Sequence, residues 1–180
     1  VSWIQTYTGK KFDVRQPRPE DVCWMDIAHS LSQQCRFNGH TKHFYSVAQH
    51  CWIMSLNVPQ EFALYALLHD AAEAYIGDMP APVKQLFPEF SVMEDMLLSC
   101  IYKAAGIPEP SAEALAVVKE YDLRMLMTER QQLLGEPPEP WLLDGMGIKP
   151  LDIQIVLEEP SHVSAEDYLE RLAELIGGGR

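Results

Sequence analysis

The chain has 180 residues, 47% hydrophobic and 22% charged, proportions typical of a soluble globular protein and most simply one domain spanning 1–180. Its formal charge of −12 argues against wrapping a nucleic-acid backbone, an affinity built on Lys and Arg, yet it admits a small phosphate compound if a bound metal ion supplies local positive charge. No apolar run is long enough to span a membrane, and the opening "VSWIQTYTGK" has no secretion-signal pattern, so a cytoplasmic protein is expected.

Taken in chain order, "WIQTYTGKKFDV" alternates weakly around Thr8-Gly9 and predicts a short β-hairpin within residues 1–15. Ile27 and Leu31, four apart, predict a helix over about 21–35, with His29 packed or hydrogen-bonded on it. Ser46 followed by Gln49 reads as a capping box opening a helix to about Leu56. Pro59 suits the first turn of a helix over 60–76, and Gly77 stops it. A second capping box, Ser91 with Glu94, opens a helix closed by Gly106, and Ser111 starts a long one through Leu134. Beyond it, "GEPPEPWLLDGMGIKP" is a Pro/Gly-rich excursion and "DIQIVLEE" a stray strand or an extended loop. Ser164 caps a final helix of about twelve residues, and "GGGR" is a frayed tail. The class is all-α with a small N-terminal β-hairpin, residues 135–180 forming a C-terminal extension. Cys23, Cys35, Cys51 and Cys100 never form C-x-x-C and read as buried free thiols rather than a zinc ribbon.

Certain residues do not belong to packing. On the helix 60–76, Leu64, Leu67, Leu68, Ala71 and Ala72 indicate burial nearly all round, yet His69 and Glu73 share a face and Asp70 lies beside them. Burying two carboxylates costs several kcal/mol each unless a cation or good hydrogen bonds compensate, and a metal ion does so directly. Leu115, Val118, Asp122 and Met125 fall at steps of three and four, which puts an acid on a stripe meant for the core. Asp122 is therefore either held by a neighbouring Arg or backbone donor, or a further ligand. His50 stands in the first turn of the preceding helix, which must pack near 60–76 because the connection is short. Two imidazoles and two carboxylates from three helices suit Mn, Co, Fe, Zn or Ni rather than calcium.

The set H…HD…D on a helical bundle resembles the HD-domain metal-dependent phosphohydrolases. "SVAQH" ending at His50, "LLHDAAEAYIGDMPAPVK" and "VKEYD" ending at Asp122 resemble segments of the bacterial 5′-deoxynucleotidases. The bare HD pair is a weak signal; the extended H-D-x-x-E-x-x-x-G-D-x-P-x-P-V-K is a strong one. "WIQTYTGKKF" with "DIAHSLSQQCRFNGH" is closer to phage-encoded HD proteins, among them dATP triphosphohydrolases, and the likeness covers roughly residues 3–130. It implies an HD-domain helical bundle in which His50, His69, Asp70 and Asp122 hold a divalent transition metal, Co²⁺, Mn²⁺ or Zn²⁺, with additional Mg²⁺. Glu73 and Asp78 match the catalytic acids, which position the attacking water and handle its proton. Arg36-Phe37 matches an Arg-Trp pair that contacts phosphate and sugar or base, and Lys84 matches a phosphate-reaching lysine. His40 is a substrate contact or an alternative first ligand, His43 is a surface residue, and Trp24 and Met25 are base-pocket candidates by position alone.

The expected function is hydrolysis of a deoxynucleotide, a metal-activated water attacking the phosphorus at the 5′ oxygen, with dATP or another dNTP giving the deoxynucleoside and triphosphate. Alternatives are a 5′-deoxynucleotidase acting on dNMPs, hydrolysis of a signalling nucleotide, a non-catalytic nucleotide-sensing HD module, and a structural helical protein. The expected partners are a small nucleotide substrate and further copies of the chain, as a dimer or hexamer, with neither nucleic acid nor membrane. No G-x-S-x-G, H-E-x-x-H or G-x-x-x-x-G-K-S/T pattern supports another hydrolase design.

Overall fold

The computed structural model describes residues 3–157 and 161–178, with 161–164 as backbone only. It is mostly helical, with one two-stranded antiparallel sheet at the N-terminus. Strands β1 (Trp3–Gln5) and β2 (Lys11–Asp13) pair with Ile4 opposite Phe12, and Gly9 takes φ 81° in the connecting turn, a conformation that favours glycine. Side chains fasten the hairpin to the helical body. Asp26, buried in α1 (Trp24–Gln33), accepts the Thr8 amide at 2.7 Å and the Thr8 hydroxyl at 3.0 Å, while Phe12 stacks on Tyr75 with ring centres 3.7 Å apart. His29 stacks on Tyr7, as its expected packing role requires. Residues Pro19–Asp21 form a separate 3₁₀ turn, so α1 begins later than 21.

Helix α2 (Val47–Asn57) starts where the Ser46 hydroxyl accepts the Gln49 amide at 3.0 Å. The reciprocal half of the predicted box is not made, because the Gln49 side chain donates to the Val156 carbonyl instead. The expected helix 60–76 is divided. A 3₁₀ turn at Gln60–Phe62 leads into α3 (Ala63–Leu68), and α4 (Glu73–Ile76) comes after a tightened turn. In that turn the bonds run to the third residue, Ala71 N to Leu68 O at 2.9 Å and Glu73 N to Asp70 O at 3.0 Å. Gly77, at φ 83° and ψ 155°, ends α4 in a backbone region that is essentially glycine's own.

After the short α5 (Ala81–Lys84), α6 (Pro88–Ala104) begins at Pro88 and not at Ser91. Proline is pre-set for the first helical turn, so the helix opens one turn early; Ser91 falls inside it and Glu94 is free to pair with Lys84. Helix α7 (Ala112–Leu133) starts as predicted, with the Ser111 hydroxyl accepting the Ala114 amide. Its buried stripe runs through Ala114, Val118 and Met125; Leu115, expected on it, is exposed. Residues 152–157 of "DIQIVLEE" form neither strand nor helix, with a bend at Asp152; Glu158 and Glu159 lie outside the described residues.

The last helix, α8 (Ser161–Gly177), starts before Ser164, which is therefore not its cap. It is not an appendage. It packs on α1, α2 and α3, burying Ala165, Tyr168 and Leu172 in the same cluster as Ile27, Leu31, Cys51, Leu67 and Leu68. The Tyr168 hydroxyl donates to the Leu67 carbonyl at 3.0 Å, and Arg171 donates to the Ser55 carbonyl at 3.1 Å. Of the predicted frayed tail, Gly179 and Arg180 lie outside the described residues. Of the cysteines, Cys51 and Cys100 are buried free thiols as expected, whereas Cys23 and Cys35 are only partly covered. No helix among the described residues is long and apolar enough to cross a membrane.

If α8 is part of the core, Tyr168→Ala lowers unfolding free energy by about 3–5 kcal/mol, and Tyr168→Phe by about 1 kcal/mol through the lost hydrogen bond. Chemical denaturation measures both; an unchanged midpoint for Tyr168→Ala would show that α8 does not hold the fold together.

Candidate metal centre

Three helical elements converge on one point. Helix α2 supplies His50, fully buried in its first turn; the turn between α3 and α4 supplies His69 and Asp70; α7 supplies Asp122. The two ring nitrogens His50 Nε2 and His69 Nε2 stand 3.3 Å apart. Asp70 Oδ2 is 3.2 Å from His69 Nε2 and 3.8 Å from His50 Nε2, and Asp122 Oδ1 is 3.7 Å from His50 Nε2. One donor atom each from His50, His69 and Asp122 fall within 4.8 Å of one another, close enough to hold a metal ion.

The other nitrogen of each ring decides the tautomer. His69 Nδ1 lies 2.7 Å from the Ala66 carbonyl, which can only accept, so Nδ1 carries the proton. His50 Nδ1 lies 2.6 Å from a carboxylate oxygen of Glu129 and is protonated for the same reason. With both rings neutral, two Nε2 lone pairs face each other beside two carboxylates, an arrangement relieved either by a proton shared between the rings or by a metal ion among the donors. Two imidazole nitrogens each about 2.0–2.1 Å from one tetrahedral ion would stand about 3.3 Å apart, so the spacing fits.

Electrostatics point the same way. Burial opposes charge on His69, but Asp70 and Cys51 together outweigh it and raise the ring's pKa well above the ordinary histidine value. Burial alone would raise Asp70 and Asp122, yet the neighbouring histidines hold both carboxyls below the usual range. The two carboxylates favour a positive charge beside them, a proton on His69 or a metal ion in its place.

A second donor group, Cys51 with His69 and Asp70, is also close enough for a metal. The imidazole atom that faces Cys51 Sγ, at 3.9 Å, is Nδ1, which is already given to Ala66. Burial also pushes the Cys51 thiol up to about 11, leaving it neutral. The His50, His69 and Asp122 set is the better centre, with Asp70 against it.

The tightened turn sets the neighbouring acid. With bonds to the third residue, Asp70 and Glu73 stack along one line, in place of the His69–Glu73 alignment of an unbroken α-helix. Glu73 is 3% exposed, and its Oε2 is buried with no hydrogen-bond partner. Burial, then Asp70 and Asp78, push its carboxyl up to about 10. Asp78 comes just after the Gly77 turn, where Gln34 clamps both sides: its Oε1 accepts the Asp78 amide at 3.0 Å and its Nε2 donates to the Glu73 carbonyl at 3.0 Å. Burial raises Asp78 as well. Lys84 is held by Glu94 at 2.8 Å, near enough to act electrostatically on Glu73.

Arg36 reaches the centre, its Nη atoms 3.4 Å from Asp70 Oδ2 and 3.2 Å from Glu129 Oε2, while its Nε is buried without a hydrogen-bond partner. Phe37 and Asn38 come next at φ 55° and 50°, a left-handed backbone that costs roughly 1–2 kcal/mol per residue, and the Phe37 ring lies against Arg36. His40 is exposed and belongs to neither donor group, whereas His50 belongs to one of them. His43 is exposed as expected. Trp24 packs against the main core cluster and Met25 is exposed; neither has a contact that brings it to the centre.

Two residues at the centre are not among those that motif and spacing single out. Glu129, fully buried, continues the stripe through Asp122 and Met125 by one more step of four, so periodicity does carry a signal for it. Gln34 lies 39 residues from Glu73, and no local pattern announces it.

No family model matches the chain. It is 40% identical over 176 residues to the uncharacterized protein YfdR of Escherichia coli, an alignment covering 97% of this chain and 96% of that protein. The chain belongs to the YfdR family. An uncharacterized protein of Rhodobacter capsulatus is 28% identical over 186 residues, covering 90% of this chain and 95% of its own length.

Cobalt titration of the metal-free protein separates the two donor groups. Cys51→Ser is expected to bind as wild type, whereas Asp122→Ala loses at least tenfold in affinity, about 1.4 kcal/mol or more. A sulfur-to-cobalt charge-transfer band, abolished by Cys51→Ser, would overturn the assignment.

Proposed function

We propose that the chain is an HD-type metal-dependent phosphohydrolase acting on deoxynucleotides. The observation that carries this reading is the pair of facing Nε2 atoms at 3.3 Å, flanked by Asp70 and Asp122, with the buried and half-unpartnered Glu73 one turn away. A divalent ion held by His50, His69, Asp70 and Asp122 would supply a Lewis acid that polarises a phosphoryl oxygen and eases the ionisation of water. The donor set of imidazole and carboxylate suits Co²⁺, Mn²⁺ or Zn²⁺.

The remaining roles fall to the chain's own residues. Glu73 and Asp78, fixed on either side of Gly77 by Gln34, orient the attacking water and carry its proton to the leaving oxygen. Water adds at phosphorus, the bond from phosphorus to the 5′ oxygen breaks, and that oxygen leaves as a hydroxyl. Lys84, held at the rim by Glu94, offsets phosphate charge. Arg36 is paired with Asp70 and Glu129 through its two Nη atoms, while its buried Nε–H has no partner and remains a donor for phosphate. The Phe37 ring beside it offers a face for sugar or base. Trp24 has no part in this reading, because it packs into the core cluster.

The likeness of the N-terminal block to phage dATP triphosphohydrolases supports dATP as the substrate to test first. A panel of dNTPs, dNMPs and ribonucleotides with Co²⁺, Mn²⁺, Zn²⁺ and Mg²⁺ tests the reading. Triphosphate from dATP is the expected product; phosphate from a dNMP would shift the assignment to a 5′-deoxynucleotidase, and no turnover of any nucleotide with any metal would sink it. Glu73→Gln should keep the metal and lose roughly 10²–10⁴-fold in kcat.

A further inference from the structure

We propose that Glu129 is a positioning residue for the metal centre, holding the His50 imidazole with Nε2 toward the ion and joined through Arg36 to Asp70. This role rests on the metal centre proposed for His50, His69, Asp70 and Asp122, and adds a residue that touches neither ion nor substrate.

Both oxygens of Glu129 are in use. Oε1 accepts from His50 Nδ1 at 2.6 Å and Oε2 accepts from Arg36 Nη2 at 3.2 Å. The other end of the same guanidinium donates to Asp70 Oδ2 at 3.4 Å, and that oxygen stands 3.2 Å from His69 Nε2. One connected path therefore ties three of the four donor side chains together, from α2 through α7 to the turn after α3. Its members lie 79, 93 and 34 residues apart along the chain.

Stability alone is a poor reason for this path. A fully buried carboxylate and a largely buried guanidinium each lose solvation at a cost of several kcal/mol, and well-packed apolar residues in such places are often as stable or more so. What an apolar side chain could not do is fix a ring. An imidazole free to flip would present Nδ1 or Nε2 to the ion, whereas the carboxylate selects the Nδ1–H tautomer and strengthens Nε2 as a donor to metal. Glu129 also balances Arg36, whose charge would otherwise be met by Asp70 alone, a carboxylate assigned to the ion.

The test compares wild type and Glu129→Gln, stripped of metal and titrated with Co²⁺ by visible absorption. Glutamine keeps the shape and one acceptor for His50 Nδ1 but removes the charge. The expected result is a cobalt affinity lower by roughly 10- to 100-fold and an altered ligand-field spectrum, with far-UV circular dichroism unchanged. Equal affinity and equal spectra would overturn the role of Glu129 and leave the metal centre standing; wild type that binds no cobalt would overturn the metal centre and this inference with it. If Glu129→Gln does not fold, imidazole proton NMR of zinc-loaded wild type decides. A slowly exchanging His50 Nδ1 proton supports the proposal, and metal on Nδ1 or a freely exchanging Nδ1 proton refutes it.

Discussion

Two imidazole nitrogens facing each other at 3.3 Å, each ring already tied down through its other nitrogen, are the constraint on which the rest of the structure turns. Neither ring can relieve the contact by exchanging tautomers without breaking a hydrogen bond at 2.7 Å or less. His50 is placed by the capped start of α2, and His69 by a turn tightened between α3 and α4. Asp122 and Glu129 come from one stripe of α7, so a single helix supplies both a ligand candidate and the group that orients another. Moving any of the three elements along its axis would separate the donors.

The same tightening explains the neighbouring acids. A regular α-helix would put Glu73 above His69; the shorter bond pattern puts it above Asp70, where burial and like charge raise its pKa. Gly77 then reverses the chain at a backbone angle few other residues adopt, and Gln34 grips both sides of the reversal. The packing outside the centre serves this geometry. The hairpin is fastened through Thr8 to Asp26 on α1, and α8 closes over α1, α2 and α3 with Tyr168 bound to backbone near His69. Since the likeness to YfdR runs over 97% of the chain, hairpin and final helix both belong to the unit the family shares.

What can be read in the sequence is whatever depends on local spacing. His69, Asp70 and Asp122 stand out because charged groups occupy positions where helical periodicity demands apolar ones, and Ser46 and Ser111 mark helix starts by their side-chain chemistry. Ser91 misleads because Pro88, pre-set for a helical turn, opens the helix first. The division of 60–76 is invisible, since a turn with bonds to the third residue keeps nearly the same apolar pattern as one with bonds to the fourth. Arg36 is singled out through the family resemblance and not by any local spacing. Its pairing with Glu129 is not legible, because a contact across 93 residues leaves no mark on either local segment. Trp24 is a candidate by position alone, and the helix it begins turns it into the core instead.

An anomalous-scattering map from crystals of the zinc- or cobalt-loaded protein would interrogate the facing histidines without any assumption about substrate. One metal peak is expected between His50 Nε2 and His69 Nε2, within bonding distance of Asp122. A peak bound through Cys51 Sγ or His69 Nδ1, or no ordered metal at these residues, would contradict the centre.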